Sequence, residues 1–322
     1  HRPLDDCQGA RYTQRDLLRP RYDRSMSTTS KEKTTIDNLP NLHLHFSLPG
    51  DLGDDMAALQ YKLTTMSAVD FLQEWFESDE LISPMACSGI IGTMLGVKSP
   101  GTAYVLLHHY MGEIDGSSRA WGFARGGTGA ISQSIARSAE HFGAEIRCNA
   151  AVKQIKVRRG EATGVVLDNG DEFDAKIVVS GCEPRLTFMG LVGESELPTE
   201  FATGIKRYKL RGSSGKVNLA LDRFPDFACR PGDGGHVRGD ISIAPSTDYL
   251  ERAYDEAKYG AFSSKPFLNI VFPSLLDRDM APPGKHVMSI FVQYAPYHLK
   301  DGPETWPDHK EAFGDAVVDT LA

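Results

Sequence analysis

Glycine at 126, 127 and 129, followed by apolar residues that recur until Gly143, limits this chain more than any other feature. The string Gly126-Gly127-Thr128-Gly129 is too permissive a backbone for the interior of any element. Behind it Ala130, Ile131, Ile135, Ala136, Ala139 and Phe142 recur at helical spacing. The segment therefore reads as a loop entering a helix, with Gly143 as the stop. Residues 145–148 and 152–157 follow in extended pattern, then a turn at 158–161 and a strand at 164–167. Asp168-Asn169-Gly170 is a tight hairpin turn, because Asn-Gly supplies the positive φ angles that such turns need. Ile177-Val178-Val179 is β-branched and apolar on both faces, which predicts an interior, parallel strand running into Ser180-Gly181.

The flanking stretches differ in character. Residues 56–112 read as helical: Ser67 and Asp70 form a capping box, followed by Val69, Leu72, Trp75 and Phe76 at helical spacing. The apolar segment 81–95 contains Pro84, Gly89 and Gly92, so an interrupted helix or two short ones are expected. In the last stretch, residues 216–221, 241–244, 267–272 and 287–294 read as strands, and 248–258 and 310–321 as amphipathic helices.

Composition excludes several function classes. The chain has 322 residues with 43 acidic and 35 basic side chains, a net charge of −8, which opposes electrostatically driven nucleic-acid binding. No apolar run reaches the roughly 18 residues of a membrane-spanning helix; the nearest, 104–111, is broken by His108 and His109. The five cysteines form no CxxC pair, so neither a disulfide framework nor a cysteine zinc site is expected. His43, His45, His108 and His109 lack a third ligand at a recognisable spacing, and no metal site is expected. Residues 1–34 hold eight Arg/Lys and five Asp/Glu without apolar periodicity, and residues 1–45 are expected to be a disordered tail. Asp5, Asp6, Asp16 and Asp23 spoil a transit-peptide reading, and translated non-coding sequence ahead of Met26 explains the stretch equally well.

Three further strings weaken on inspection. Gly127-Thr128-Gly129-Ala130-Ile131-Ser132 falls one residue short of a dinucleotide fingerprint, and no hydrophobic strand precedes it. Gly212-Ser213-Ser214-Gly215-Lys216 is too short for a phosphate loop and leads into a strand. Tyr254 and Lys258 are separated by one helical turn, a spacing that means little without a cofactor fold upstream. No Gly-x-Ser-x-Gly elbow occurs, which leaves a serine hydrolase without a nucleophile.

The middle stretch, from Gly126-Gly127-Thr128-Gly129 through Val152-x-x-Ile155 and Gly164-Val165-Val166-Leu167-x-Asn169-Gly170 to Val178-Val179-Ser180, resembles the FAD-dependent phytoene desaturase and flavin amine oxidase superfamily. Ser67-Ala68-x-Asp70-Phe71-Leu72, Trp121-Gly122 and Pro282-Pro283-Gly284-x-His286-Val287 extend the resemblance over about residues 56–322. It implies an α/β fold, mixed α+β in detail: a partial FAD-binding Rossmann-like domain (120–185) interleaved with a substrate domain, helical over 46–119 and built on a mixed sheet over 186–322. The resemblance further implies FAD as cofactor. The backbone at Val152 would meet its adenine, Ser180 and Gly181 would allow close approach, and Gly126 and Gly127 would leave room for the flavin ring.

The superfamily's Gly-x-Gly-x-x-Gly strand-turn-helix and its C-terminal glycine-rich segment are not found in this sequence, so truncation at both ends is expected. The complete protein would pass a hydride from a C–H bond of a small-molecule substrate to the flavin; no residue is singled out as a general base. A non-catalytic fragment or scaffold that has lost the cofactor stays open as an alternative, as does direct use of nicotinamide through the Gly127 loop. A homo-oligomer or another protein partner also stays open. The resemblance implies the mitochondrial matrix if the source is animal and the cytoplasm if it is bacterial.

Overall fold

The computed structural model describes residues 54–111, 113–114, 117–118, 122–232 and 234–322. The expected tail, His43, His45 and Trp121 lie outside the described residues. The chain divides into two units, one comprising residues 1–91, 95–122 and 245–247 and the other residues 92–94, 123–244 and 248–322.

The described part of the first unit is mainly helical, with α1 (Asp54–Thr65), α2 (Ala68–Gln73), α3 (Asp79–Ala86) and α4 (Thr102–Tyr110) beside a short ribbon of β1 (Glu113–Ile114) and β2 (Ser117–Ser118). The capping box forms as expected. Ser67 Oγ accepts from the Asp70 amide at 3.0 Å and donates to Asp70 Oδ2 at 2.7 Å, satisfying an amide that the helix start would otherwise orphan. Pro84 lies inside α3, which passes into a 3₁₀ turn at Cys87–Gly89. Ala68, Val69, Leu72, Ile82, Ile90, Val97, Ala103 and Leu106 form the buried interior. Thr102 Oγ1 is buried with them but satisfied, accepting from the Ala68 amide at 2.8 Å and donating to the Ser99 carbonyl at 2.7 Å. Gly89 lies so close to α2 and α4 that a Cβ there would stand 2.8 Å from Ala68 Cβ and 2.9 Å from the Thr102 carbonyl oxygen.

The second unit holds α5 (Gly127–His141), a three-stranded sheet of β3 (Val152–Arg158), β4 (Glu161–Leu167) and β5 (Glu172–Asp174), a π-helix (Leu186–Gly193) and α6 (Thr199–Arg207). A four-stranded sheet follows, from β6 (Ser214–Leu221), β7 (Ile241–Ile243), β8 (Phe267–Val271) and β9 (His286–Gln293), with α7 (Thr247–Lys258) before β8, α8 (Pro273–Leu276) after it, and α9 (Trp306–Leu321) last. The four strands lie in the order β6-β9-β8-β7, every neighbouring pair antiparallel. Alternation decides which face is buried: Leu268, Ile270, Met288, Ile290 and Val292, with Val217, Leu219, Ile241 and Ile243, cluster with Phe313 and Val317 of α9.

Two expectations are corrected. The sheet of β6, β7, β8 and β9, expected to be mixed, is antiparallel throughout. Residues 177–179, expected to form an interior parallel strand, pair with no strand among the described residues; Ile177 is 78% and Val179 89% exposed. A β-branched run is compatible with a strand, but a ladder needs a neighbour, and none is described beside it. Residues 145–148 are likewise unpaired. Both expected hairpins form: Arg159 (φ 54°) and Gly160 (φ 81°) turn β3 into β4, and Gly170 (φ 90°) closes the Asn-Gly turn by donating to the Leu167 carbonyl.

Two stability outcomes follow. Gly89→Ala is expected to destabilise the helical unit by about 1–3 kcal/mol, read as a lower urea midpoint for that unit. Gly215 faces Phe313, whose Cζ would lie 2.6 Å from an added Cβ. Gly215→Ala is expected to cost about 1–3 kcal/mol, and less in a Phe313→Leu background, where the ring is gone. A double-mutant cycle by urea denaturation should show coupling of about 1 kcal/mol, and additive costs would contradict the packing described.

Candidate functional site

The glycine loop is built from the turn 124–127, in which the Gly127 amide donates to the Ala124 carbonyl at 2.9 Å. Gly126 (φ 81°) and Gly127 (φ 75°) both occupy the left-handed region, which explains why these two positions are glycine. Residues 122–124 preceding the turn are irregular and not a strand, so the strand-turn-helix context of a dinucleotide fingerprint is missing. Asp277, which follows α8, reaches this turn. Its Oδ2 accepts from the Gly126 amide at 2.6 Å while its Oδ1 accepts from the Asp279 amide at 3.2 Å. The Gly126 amide first, then that of Asp279, holds the Asp277 carboxyl below the usual carboxylate range. Arg125 pairs with Asp279 at 3.3 Å, and the Met280 methyl lies 3.3 Å from where a Gly127 Cβ would stand.

Val152 opens β3, which among the described residues is an edge strand laddered to β4 alone, with a register shift between Val152 and Gln154. Backbone groups on its other side are thus outside any ladder. Ser180 and Gly181 lie in an irregular segment that ends at the π-helix. Ser180 Oγ meets Thr187 Oγ1 at 2.8 Å and accepts from the Cys182 amide at 3.2 Å. Glu183 caps the same helix start, accepting from the amides of Arg185 (2.7 Å) and Leu186 (3.1 Å). A Cβ at Gly181 would meet nothing within 4 Å.

The π-helix borders β3 and bonds to Ser180, so it links two of the positions selected from sequence. Gly126 and Gly127 are instead fastened to the 277–280 turn. Sequence reasoning missed Asp277, Thr187 and Glu183. Glu183 sits two residues before Arg185 in a Glu-Pro pair that could have signalled a helix start; Asp277 carries no comparable local signal.

Other candidates resolve into structural roles. Lys258 Nζ pairs with Asp255 at 2.7 Å and lies 5.4 Å from the centre of the Tyr254 ring, which makes Tyr254 and Lys258 neighbours one helical turn apart. His108 and His109 meet edge to face. Burial pushes the Tyr249 phenol up to about 12, and its hydroxyl donates to the Pro266 carbonyl at 2.8 Å, the behaviour of a structural donor. Among the described residues no group of three His, Cys, Asp or Glu side chains could hold a metal ion, and no helix is long and apolar enough to cross a membrane.

Comparison with known proteins gives the family of the chain. Residues 15–316 match the family of flavin containing amine oxidoreductases. The pyridine nucleotide-disulfide oxidoreductase domain-containing protein 2 of Rattus norvegicus is 36% identical over 269 residues, which is 81% of this chain and 46% of that protein. The chloroplastic prolycopene isomerase of Daucus carota is 30% identical over 235 residues, 70% of this chain and 33% of the isomerase. The chain thus spans less than half the length of these curated relatives. A solved oxidoreductase from Methanosarcina mazei shares the fold at a TM-score of 0.54 and 18% identity, covering 85% of this chain and 58% of that one. By the extent of these matches, the chain belongs to the flavin containing amine oxidoreductase family.

Proposed function

We propose that this chain is the central part of an FAD-dependent, phytoene desaturase-like oxidoreductase that removes a hydride from a C–H bond of a small-molecule substrate. The observation that carries the reading is the open backbone at Gly181, where an added Cβ would meet nothing within 4 Å and a flat ligand has room to approach the main chain. Edge strand β3 adds to it, since backbone N–H and C=O groups outside a ladder can read an adenine edge at Val152 without a dedicated side chain. Bound FAD supplies the acceptor for the electron pair, as cofactors carry the redox chemistry in such enzymes.

The chain's own residues bind and orient. Ser180, held by Thr187 and Cys182, fixes the segment leading to Gly181. Gly126 and Gly127 bring no side chain of their own to the entrance to α5, where the Met280 methyl already lies 3.3 Å from where a Gly127 Cβ would stand, and a planar ring would meet the backbone of this loop. No residue is assigned a proton transfer: hydride loss from an amine-like substrate is balanced by the nitrogen lone pair forming an iminium, whereas a hydrocarbon-like substrate would also have to release a proton from the adjacent carbon to solvent or a base to form the double bond. In animals the mitochondrial matrix is the proposed location.

The test is FAD titration followed by quenching of flavin fluorescence. It uses the full chain and a chimera in which residues 54–322 replace the matching segment of the rat relative, with circular dichroism to confirm folding. Saturable binding to the chimera is expected, weakened about tenfold or more by Gly181→Trp. Unchanged affinity in that variant would remove Gly181 from the site. A folded chimera that takes up no FAD would leave the scaffold reading, in which the fold persists without its cofactor.

A further inference from the structure

We propose that Asp277 is a positioning residue: it clasps the Gly126–Gly127 loop and sets the conformation in which that loop faces the flavin. The second half of this statement rests on the reading above; the first rests on geometry alone. Three contacts from one four-residue turn converge on the loop. The Asp277 carboxylate takes the Gly126 amide at 2.6 Å, Asp279 takes the Arg125 guanidinium at 3.3 Å, and the Met280 methyl lies against Gly127. Asp277 can do this because its other oxygen is already oriented by the Asp279 amide, so its carboxylate is aimed before it meets the loop. The turn is itself anchored: Phe272 is buried in the sheet core, and Ser274 Oγ accepts from the Val287 amide at 3.1 Å where β9 begins.

A loop with two consecutive glycines in the left-handed region has little intrinsic preference for one conformation, so something outside it must choose. Two of the three contacts are charge-assisted, and of these the carboxylate bond to the amide is the shorter, 2.6 Å against 3.3 Å, with a donor fixed in the main chain. The Arg125–Asp279 pair joins side chains that are 88% and 77% exposed and contributes little. Asp277 is therefore the member on which the clasp depends.

Hydrogen exchange at the Gly126 amide of the full chain reads the clasp directly. Asp277→Ala is expected to speed exchange about tenfold or more. Asp277→Asn keeps one acceptor oxygen and should restore part of the protection, whereas Asp279→Ala should change it less than twofold. Equal exchange in the wild type and Asp277→Ala would overturn the clasp whatever the cofactor. In the FAD-loaded chimera, Asp277→Ala should alter the flavin absorbance spectrum and Asp277→Asn should recover it. Faster exchange with an unaltered spectrum would overturn the positioning role. Failure of the chimera to bind FAD at all would refute the flavin reading and leave exchange to decide the clasp.

Discussion

One-sided burial of the antiparallel sheet β6-β9-β8-β7 is the constraint from which the rest of its unit is hung. Side chains alternate along each strand, so a one-residue slip of β8 against β9 would carry Leu268 and Ile270 off the face that α9 covers and away from Val292 and Ile290. Two fully buried aliphatic side chains, each worth roughly 1.5–3 kcal/mol on burial, make such a slip prohibitive. A fixed register also fixes where the connection between β8 and β9 leaves the sheet. That connection carries α8, Ser274 and Asp277, so a decision made in an apolar core determines where a carboxylate meets the glycine loop.

The opposite situation holds between residues 127 and 181. None of the residues of α5 is buried; Ile131 and Ile135 lie on its surface at 51% and 65% exposure, and Ile177 and Val179 are more exposed still. Ile131 and Ile135 repeat at the spacing of a face made for packing, yet both stand more than half exposed. The three-stranded sheet beside them owes its order to short-range devices. Two tight turns set its register, and Lys156, across the ladder from Gly164, reaches Glu172 at 3.0 Å and Asp174 at 2.5 Å. The hydrogen bond to Asp174, then that to Glu172, raises the Lys156 pKa, so the ion pair contributes below the ordinary lysine value and fades as pH climbs through the raised one. Exposed as its carboxylates are, it steers register more than it stabilises.

What was legible in the sequence divides along the same line. The Ser67 capping box, the Asn169-Gly170 turn, the termination of α5 near Gly143 and the four strands of the larger sheet each announce themselves within a dozen residues, because caps, turns and alternation are local chemistry. Ile177-Val178-Val179 was misread for the complementary reason: composition states what a strand would tolerate, while pairing depends on a partner far along the chain. Parallel or antiparallel order is equally non-local, and there the expected mixed sheet gave way to an antiparallel one. Asp277 stands 151 residues from the amide it accepts, in a turn whose Asp-x-Asp composition suits any solvated loop. No spacing rule could have joined the two.

The position of Asp277 also bears on which part of a dinucleotide the glycine loop can serve. A helix start offers unpaired amides and a partial positive charge, which is why phosphates settle at such places. Here the amide of the residue before α5 is already bonded to a carboxylate carried by the same chain. A pyrophosphate arriving from solution would have to displace that tethered anion and then sit beside it, two negative charges sharing one donor. Among the described residues, 122–124 directly ahead of the loop are irregular, so the second requirement of a phosphate-binding turn, a strand leading into it, is not met there. Nicotinamide dinucleotide bound through Gly127 is disfavoured on these grounds. An uncharged ring surface meets neither obstacle, since it brings no second negative charge to the Asp277 carboxylate and needs no amide from it.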